Sequence, residues 1–198
     1  MTDSIGTITG KRIFGILATE NVHKVRRELS ELRRGIGKAP GELPELWGYI
    51  FEDFPEEYMG RGSAPSREEW AYYTAMTLFA MHQQGHSAEK EPMHEKGVSF
   101  GQAVRKLAKP NDADSLERVR KRFNICASSA DFHDLAYYLR GLIQQMRAAG
   151  IAFDYGMLAD DLFFYQFPDL IPGIRLRWGQ DFYRMPAKAE EDADSKAS

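Results

Sequence analysis

Histidines and aspartates at short spacings are the residues of this chain whose types could do chemistry. His82 and His86 stand four residues apart, a separation at which two imidazoles on one helix face can share a metal ion. Gly85 is expected to end the helix between them, and no glutamate stands where a His-Glu-x-x-His motif needs one. Asp160 and Asp161 are adjacent, so on a helix they diverge by about 100° and cannot both face one metal ion. We therefore expect no metal site and no cofactor.

Two further patterns indicate chemistry only weakly. The segment Gly35-x-Gly37-Lys38 is similar to a truncated phosphate loop, but no serine or threonine follows the lysine and no predicted strand precedes it. Cys126, the single cysteine, excludes an intramolecular disulfide and is interpreted as a buried hydrophobic residue rather than a nucleophile. We expect no enzymatic activity. A metal-dependent nuclease using His82, His86 or Asp161 is the enzyme alternative; otherwise the aspartates are interpreted as solvated, one pairing with an arginine.

Charge is unevenly distributed along the chain. The 198 residues include 26 Lys and Arg against 29 Asp and Glu, a net charge of −3, which excludes a uniformly basic nucleic-acid coat protein. Residues 23–38 hold six basic and two acidic side chains, and residues 105–122 hold seven and three, so each block has a net charge of +4. Residues 42–57, between the blocks, hold six acidic side chains and no basic one. Spaced cations of this kind suit phosphate binding, although solvated helix faces are the alternative interpretation.

Helical spacing dominates the sequence and predicts an all-α fold of two small helical bundles forming one elongated chain. Capping boxes at Ser66 with Glu69 and at Ser99 with Gln102 mark two helix starts. The first helix is predicted to start near Thr19. The predicted helices cover about residues 19–34, 44–51, 70–84, 100–107, 115–126, 132–149, 155–167 and 175–183. The 70–84 helix is apolar almost all round, so we expect it to lie at the centre of a bundle.

A polar stretch over residues 85–97 separates two predicted domains. Residues 1–95 are predicted to form an N-terminal helical domain, residues 96–185 a C-terminal helical domain, and residues 186–198 a disordered acidic tail. No stretch is long and apolar enough to span a membrane, and no secretory signal is apparent, so we expect a cytoplasmic protein without membrane partners.

The 115–126 helix is predicted to be strongly two-sided. Its apolar arc holds Leu116, Val119, Phe123 and Cys126, and its opposite side holds Arg118, Lys121 and Arg122. On the first predicted helix, Arg26, Arg27 and Arg34 gather beside the apolar stripe in the same way. The planar donor fork of arginine suits these faces to phosphate.

An ordered set of motifs resembles the CasB family, the small subunit of type I-E CRISPR Cascade. The motifs are Leu32-Arg33-Arg34-Gly35-Ile36-Gly37-Lys38 with Pro40-Gly41-Glu42 and Pro44-Glu45-Leu46-Trp47, then Leu78-Phe79-Ala80-Met81-His82-Gln83, Ser99-Phe100-Gly101-Gln102-Ala103 and Arg177-Trp178-Gly179-Gln180-Asp181-Phe182-Tyr183. With Arg122-Phe123-Asn124 and Leu139-Arg140-Gly141-Leu142 they cover about residues 19–185.

The resemblance implies an all-helical protein without activity of its own, which associates with a second copy and with the backbone and large subunits of Cascade. It also implies contact with the target DNA strands of the R-loop that the guide RNA opens. The matched basic residues are Arg33, Arg34, Lys38, Arg122 and Arg140. The basic blocks themselves add Arg26, Arg27, Arg105, Arg118 and Lys121 as candidates.

Three aromatic residues of these motifs, Trp47, Trp178 and Phe182, are expected to hold the bundles and their mutual packing. Gln102 and Gln180 stand where the family commonly has arginine, so we assign no binding role to them. The open alternative to DNA binding is a helical scaffold subunit whose basic faces contact neighbouring proteins.

Overall fold

Helices make up the regular structure of the computed structural model, which describes residues 3–184. Within these residues the α-helices are α1 (Ile5–Leu17), α2 (Val22–Arg34), α3 (Trp47–Ile50), α4 (Arg67–His82), α5 (Phe100–Lys106), α6 (Ala113–Ala127), α7 (Phe132–Ala149), α8 (Tyr155–Phe164) and α9 (Ile171–Tyr183). The all-α prediction is confirmed. The one β-type pairing among residues 3–184 is an isolated bridge between His94 and Phe153. The predicted acidic tail lies outside the described residues.

Local capping explains why α5, α7 and α8 begin where the sequence predicts, whereas α4 begins at Arg67, three residues before the predicted start. The hydroxyl of Ser66 accepts from the Glu69 amide, and the Glu69 carboxylate accepts from the Ser66 amide at 2.6 Å. The second capping box, at Ser99, is formed in the same reciprocal way. Both boxes satisfy amide groups that a helix start leaves without partners. The two capping predictions are confirmed.

The prediction that the first helix starts near Thr19 is wrong, because α1 precedes it and α2 begins at Val22. Helix α1 contains three glycines, which lower its intrinsic helix propensity. It is stabilised instead by packing against α8. A Cβ atom on Gly6 would lie 2.5 Å from the carbonyl oxygen of Gly156, so only glycine permits this close approach. Tertiary contact therefore overrides a weak local preference.

Helix α4 is the centre of the molecule, as its apolar sequence predicts. Its residues from Ala71 to His82 are buried on every side, and it contacts α1, α2, α7 and α8. Helix α8 lies against both α1 and α4, and α9 lies against α5. One buried cluster joins these helices into a continuous core. The division into two domains at residue 95 stays a prediction.

The three aromatic residues of the motifs have different environments. Trp178 and Phe182 are buried in the core, where both rings stack on Phe123. Trp47 is 52% exposed, so the expectation that it holds the bundles together is wrong. It opens the four-residue helix α3, in which Ile50 is the buried residue. None of the helices in residues 3–184 is long and apolar enough to cross a bilayer.

Candidate nucleic-acid interface

Helix α6 presents a basic face to solvent. Val119, Phe123 and Cys126 are buried beneath it, and the partly buried Leu116 packs against the same core. Arg118, Lys121 and Arg122 are exposed on the opposite side. The predicted separation of apolar and basic sides on this helix is confirmed. We call these three cations the α6 face.

The cations of α6 differ in their partners. Glu117 accepts from Arg120 and lies 3.7 Å from the Lys121 ammonium, so its charge is shared between those two side chains. Arg122 donates to the Gln145 side chain at 2.6 Å, a neutral partner that leaves its charge uncompensated. Arg118 takes part in none of the ion pairs found in residues 3–184. Two net positive charges, on Arg118 and Arg122, therefore remain available on this face.

Arg105 stands apart from the α6 face. It is half-buried on α5, and its guanidinium carbon lies 6.0 Å from the centre of the Phe182 ring. A cation held over an aromatic face gains electrostatic attraction from the ring. The candidate Arg105 therefore has a packing role in the fold beside any role in binding.

A second group of cations lines a cavity of about 910 Å³ between α2 and residues 83–89. Arg26 and Arg33 both line it, so the structure brings these two candidates together. Arg33 is half-buried, and its guanidinium lies 3.5 Å from the carbonyl oxygen of Ala80. Burial, with a smaller contribution from the nearby Arg147, lowers the pKa of Arg33. An anion would relieve this repulsion between two guanidinium groups.

Arg147 was missed by the sequence reasoning. It lies in the last turn of α7, donates to the Gln84 side chain at 2.9 Å, and its carbonyl oxygen is 2.8 Å from His86 Nε2. A basic residue in the last turn of a helix is a recognised stabilising pattern. This pattern could have drawn attention to Arg147, but it does not predict that Arg33 lies nearby. Its approach to Arg33 depends on how α7 packs on α4.

The other two candidates of α2 behave differently from Arg33. Arg27 is exposed on the helix surface. Arg34 donates to Glu31 at 2.6 Å and to Glu45 at 2.5 Å, and these carboxylates raise its pKa. Because Glu45 belongs to the acidic segment 42–57, the charge of Arg34 is already compensated within the chain.

Lys38 and Arg140, 102 positions apart in the sequence, line one cavity of about 420 Å³. Lys38 lies on the loop after α2, and Arg140 lies on α7. The structure thus joins two candidates that the sequence could only name separately. The glycine-rich segment before Lys38 forms the edge of this cavity and is not followed by a phosphate-loop helix.

The histidine pair is not arranged as a metal site. His82 is fully buried, with Nδ1 3.0 Å from the Tyr155 hydroxyl, and burial lowers its pKa to about 3. His86 contacts Arg147 instead. No group of three or more His, Cys, Asp or Glu side chains in residues 3–184 is placed to hold a metal ion. Burial also raises the pKa of the Cys126 thiol, so that the residue acts as a core hydrophobe.

Asp160 and Asp161 have separate structural roles. Asp161 is buried and accepts from Trp178 Nε1 at 2.5 Å and from Arg177, so the pairing with an arginine is confirmed and the solvated interpretation is wrong for this residue. Burial raises its pKa to about 6, although both donors act in the opposite direction. Asp160 accepts from the Gly6 amide at 2.7 Å and so attaches α8 to α1.

Comparisons with known proteins agree with this architecture. The family model described as CRISPR-associated protein Cse2 matches residues 28–183. The crystal structure of CasB from Thermobifida fusca is similar, with 31% identity, a TM-score of 0.74 and coverage of 91% of this chain and 98% of that one. A CRISPR-associated protein of the Cse2 family from Thermus thermophilus shares the fold at 21% identity and a TM-score of 0.63, over 91% and 99% of the two chains. No curated protein sequence matches significantly.

Proposed function

We propose a function from the premise that this chain belongs to the Cse2 family of CRISPR-associated proteins: it is a non-catalytic small subunit of a type I-E Cascade complex that holds single-stranded DNA. In this role it stabilises the R-loop opened by the guide RNA, while base pairing alone reads the sequence. Its partners are the backbone and large subunits, a second copy of the chain, and the target DNA strands.

The observation that carries the DNA-binding proposal is the uncompensated charge of the α6 face. Arg118 and Arg122 project from a helix whose other side is anchored in the core, so the backbone positions that carry them are held at a fixed spacing. Fixed cations bind phosphates because they release the counterions condensed on the strand. Contacts of this kind carry no base information, which supports binding without sequence preference.

A non-catalytic role is supported because the polar side chains that could do chemistry already contact other residues of the fold. His82 is buried against Tyr155, and Asp161 is occupied by Arg177 and Trp178. A nuclease would instead need these side chains to converge on an open site. Incubating the purified chain with labelled DNA and Mg²⁺ or Mn²⁺ tests the point, and cleavage that is lost in His82→Ala would contradict the proposal.

The test of DNA holding is R-loop formation by the assembled complex on a target duplex. We expect Arg118→Glu with Arg122→Glu to weaken R-loop formation strongly and to flatten its dependence on salt concentration, because fewer phosphates are neutralised. The matched control is Arg120→Glu, an equal change in charge per residue on the same helix at a cation already paired with Glu117. Circular dichroism verifies that each variant keeps its helices. Equal R-loop formation by the double variant and the unsubstituted complex would contradict the site assignment.

A scaffold role is the second candidate, and exposed apolar side chains on and just before α9 favour it. Leu176 and Tyr183 on α9 and Leu170 just before it are all substantially exposed, a pattern found where proteins meet. Size-exclusion profiles separate the two roles. If the α6 substitutions release the subunit from the complex before DNA is added, the basic face contacts protein rather than DNA.

A further inference from the structure

The cavity lined by Lys38 and Arg140 combines two cations with aromatic walls. It lies between the loop after α2, the buried helix α4 and the outer side of α7. Its volume of about 420 Å³ falls within the range of sites that take small ligands or single groups of larger ones. Neither Lys38 nor Arg140 takes part in an ion pair among residues 3–184. The lining of the cavity therefore holds two cations without an ion-pair partner in these residues, together with the carboxylate of Glu42.

The edge that carries Lys38 is attached to helix α4 by a hydrogen bond. The Tyr73 hydroxyl donates to the carbonyl oxygen of Gly35 at 3.0 Å, and a Cβ atom on Gly35 would lie 2.4 Å from that hydroxyl. Gly37 has a φ of 77°, which a side chain rarely tolerates. The one acid of the lining, Glu42, has its carboxylate 2.6 Å from the Ala39 amide and so stabilises this loop.

The opposite wall carries an exposed aromatic ring. Tyr137 is 72% exposed and lies three residues before Arg140, so the two side chains share one face of α7. Deeper in the wall, Trp70 packs edge-on against His133 with ring centres 5.2 Å apart. An exposed aromatic beside a cation is the arrangement on which unpaired bases stack while their phosphates are neutralised.

We propose that this cavity binds one unstacked nucleotide of a single strand, its base against Tyr137 and its phosphate between Lys38 and Arg140. The inference rests on the proposed function and adds a defined subsite to it. A paired duplex cannot use the cavity, because its bases are stacked and enclosed. The site thus gives the chain a preference for single strands that the α6 face, which contacts phosphates only, does not supply.

An acidic or aromatic protein segment is the competing occupant. The nucleotide is favoured because this concave site of limited volume is lined by two cations against one carboxylate, together with aromatic side chains. Protein interfaces of useful strength instead need broad surfaces with an apolar centre. Lys38, Arg140 and the exposed Tyr137 all line the cavity, which suits one base with its phosphate.

The test uses the full chain and a thymidine oligonucleotide that contains 2-aminopurine, whose fluorescence falls when it stacks. We expect binding to quench the fluorescence, and Tyr137→Ala to abolish the quenching and lower single-strand affinity on the order of tenfold. Tyr137→Phe keeps the ring and should retain both. Lys38→Gln with Arg140→Gln should lower affinity and flatten its salt dependence. Phe14→Ala, which removes a ring that is 70% exposed elsewhere, is the matched control.

The outcomes separate this subsite from the general proposal. If the α6 substitutions weaken binding while Tyr137→Ala changes neither quenching nor affinity, the subsite is overturned and DNA holding stands. If Tyr137→Ala weakens assembly of the complex but not strand affinity, a protein segment occupies the cavity and the subsite is overturned. If the unsubstituted chain binds no oligonucleotide even at low salt and high protein concentration, the subsite is overturned, whereas DNA holding is decided separately by R-loop formation in the assembled complex.

Discussion

Helices α2 and α6 come from sequence blocks of equal charge, yet they present their cations in different ways. On α6, the core side and the basic side are separate, and Arg118 and Arg122 keep uncompensated charges. On α2, Arg34 is neutralised by Glu31 and Glu45, and Arg33 is half-buried close to Arg147. The net charge of a segment therefore does not measure the charge that a ligand meets. What differs is the tertiary neighbourhood: α2 faces an acidic segment, while Arg122 of α6 faces neutral Gln145.

The largest effect is expected from removing charge on α6. Arg118→Gln with Arg122→Gln should reduce single-strand affinity of the complex about 25-fold near 0.1 M salt, because each lost phosphate contact lowers the salt slope by about 0.7. Titrations with fluorescently labelled strands at several salt concentrations measure both quantities. The paired Arg120 again supplies the control, Arg120→Gln. If the double variant lost less single-strand affinity than this control, the assignment of Arg118 and Arg122 as the main phosphate contacts on α6 would be wrong.

A smaller and more selective effect is expected on α2. Arg33→Gln should lower affinity about fivefold near 0.1 M salt, the effect of one phosphate contact. Arg34→Gln, one residue away, should change affinity less than about twofold because its charge is already paired with two carboxylates. The same strand titrations compare the two variants. Equal losses would show that the ion pairs of Arg34 open when DNA binds, and the contrast between α2 and α6 would disappear.

The smallest effect on binding, and a distinct effect on stability, is expected from the interior shared by both regions. His82 has a pKa of about 3 in the fold against 6.5 normally, so the unfolded chain takes up the proton first and His82 lowers stability as the pH falls from about 6.5 to 3. Between pH 7 and pH 5 the unsubstituted chain should therefore lose about 2 kcal/mol of its free energy of unfolding through His82, and His82→Gln should not show this loss. Its strand affinity at pH 7 should not change.

Asp161 is expected to change the free energy of unfolding with pH in the direction opposite to His82, so it serves as the control for that measurement. Its pKa is raised to about 6, so the fold binds a proton before the unfolded chain does, and its contribution to stability grows as the pH falls from about 6 to 3.8. Asp161→Asn should remove that gain. Urea unfolding at pH 7 and pH 5 measures the free energy of unfolding of each variant. Parallel pH dependences for all three chains would contradict both buried-group assignments.

Much of the fold could be predicted because its causes are local. Capping boxes at Ser66 and Ser99, the aspartate caps at Asp131 and Asp154, and the two-sided pattern of α6 each depend on residues within one or two turns. Helix α1 could not be predicted in this way, since its glycines argue against a helix until Gly6 meets Gly156 across the fold. The exposure of Trp47 could not be predicted either. A tryptophan in a short apolar helix is expected to be buried, and only the packing of the whole fold decides whether it is.

The candidate site divides along the same line. By itself, the sequence determined the family resemblance, the helices that carry the cations, and the outward direction of Arg118, Lys121 and Arg122, because these follow from motif order and helical periodicity. The tertiary structure alone decided that Lys38 and Arg140 line one cavity, that Arg33 lies near Arg147, and that Arg34 is neutralised by Glu45. These pairings join residues on different elements. The physical reason is that helix packing sets the distances between charges on different elements. Periodicity along one helix specifies only which residues of that helix share a face.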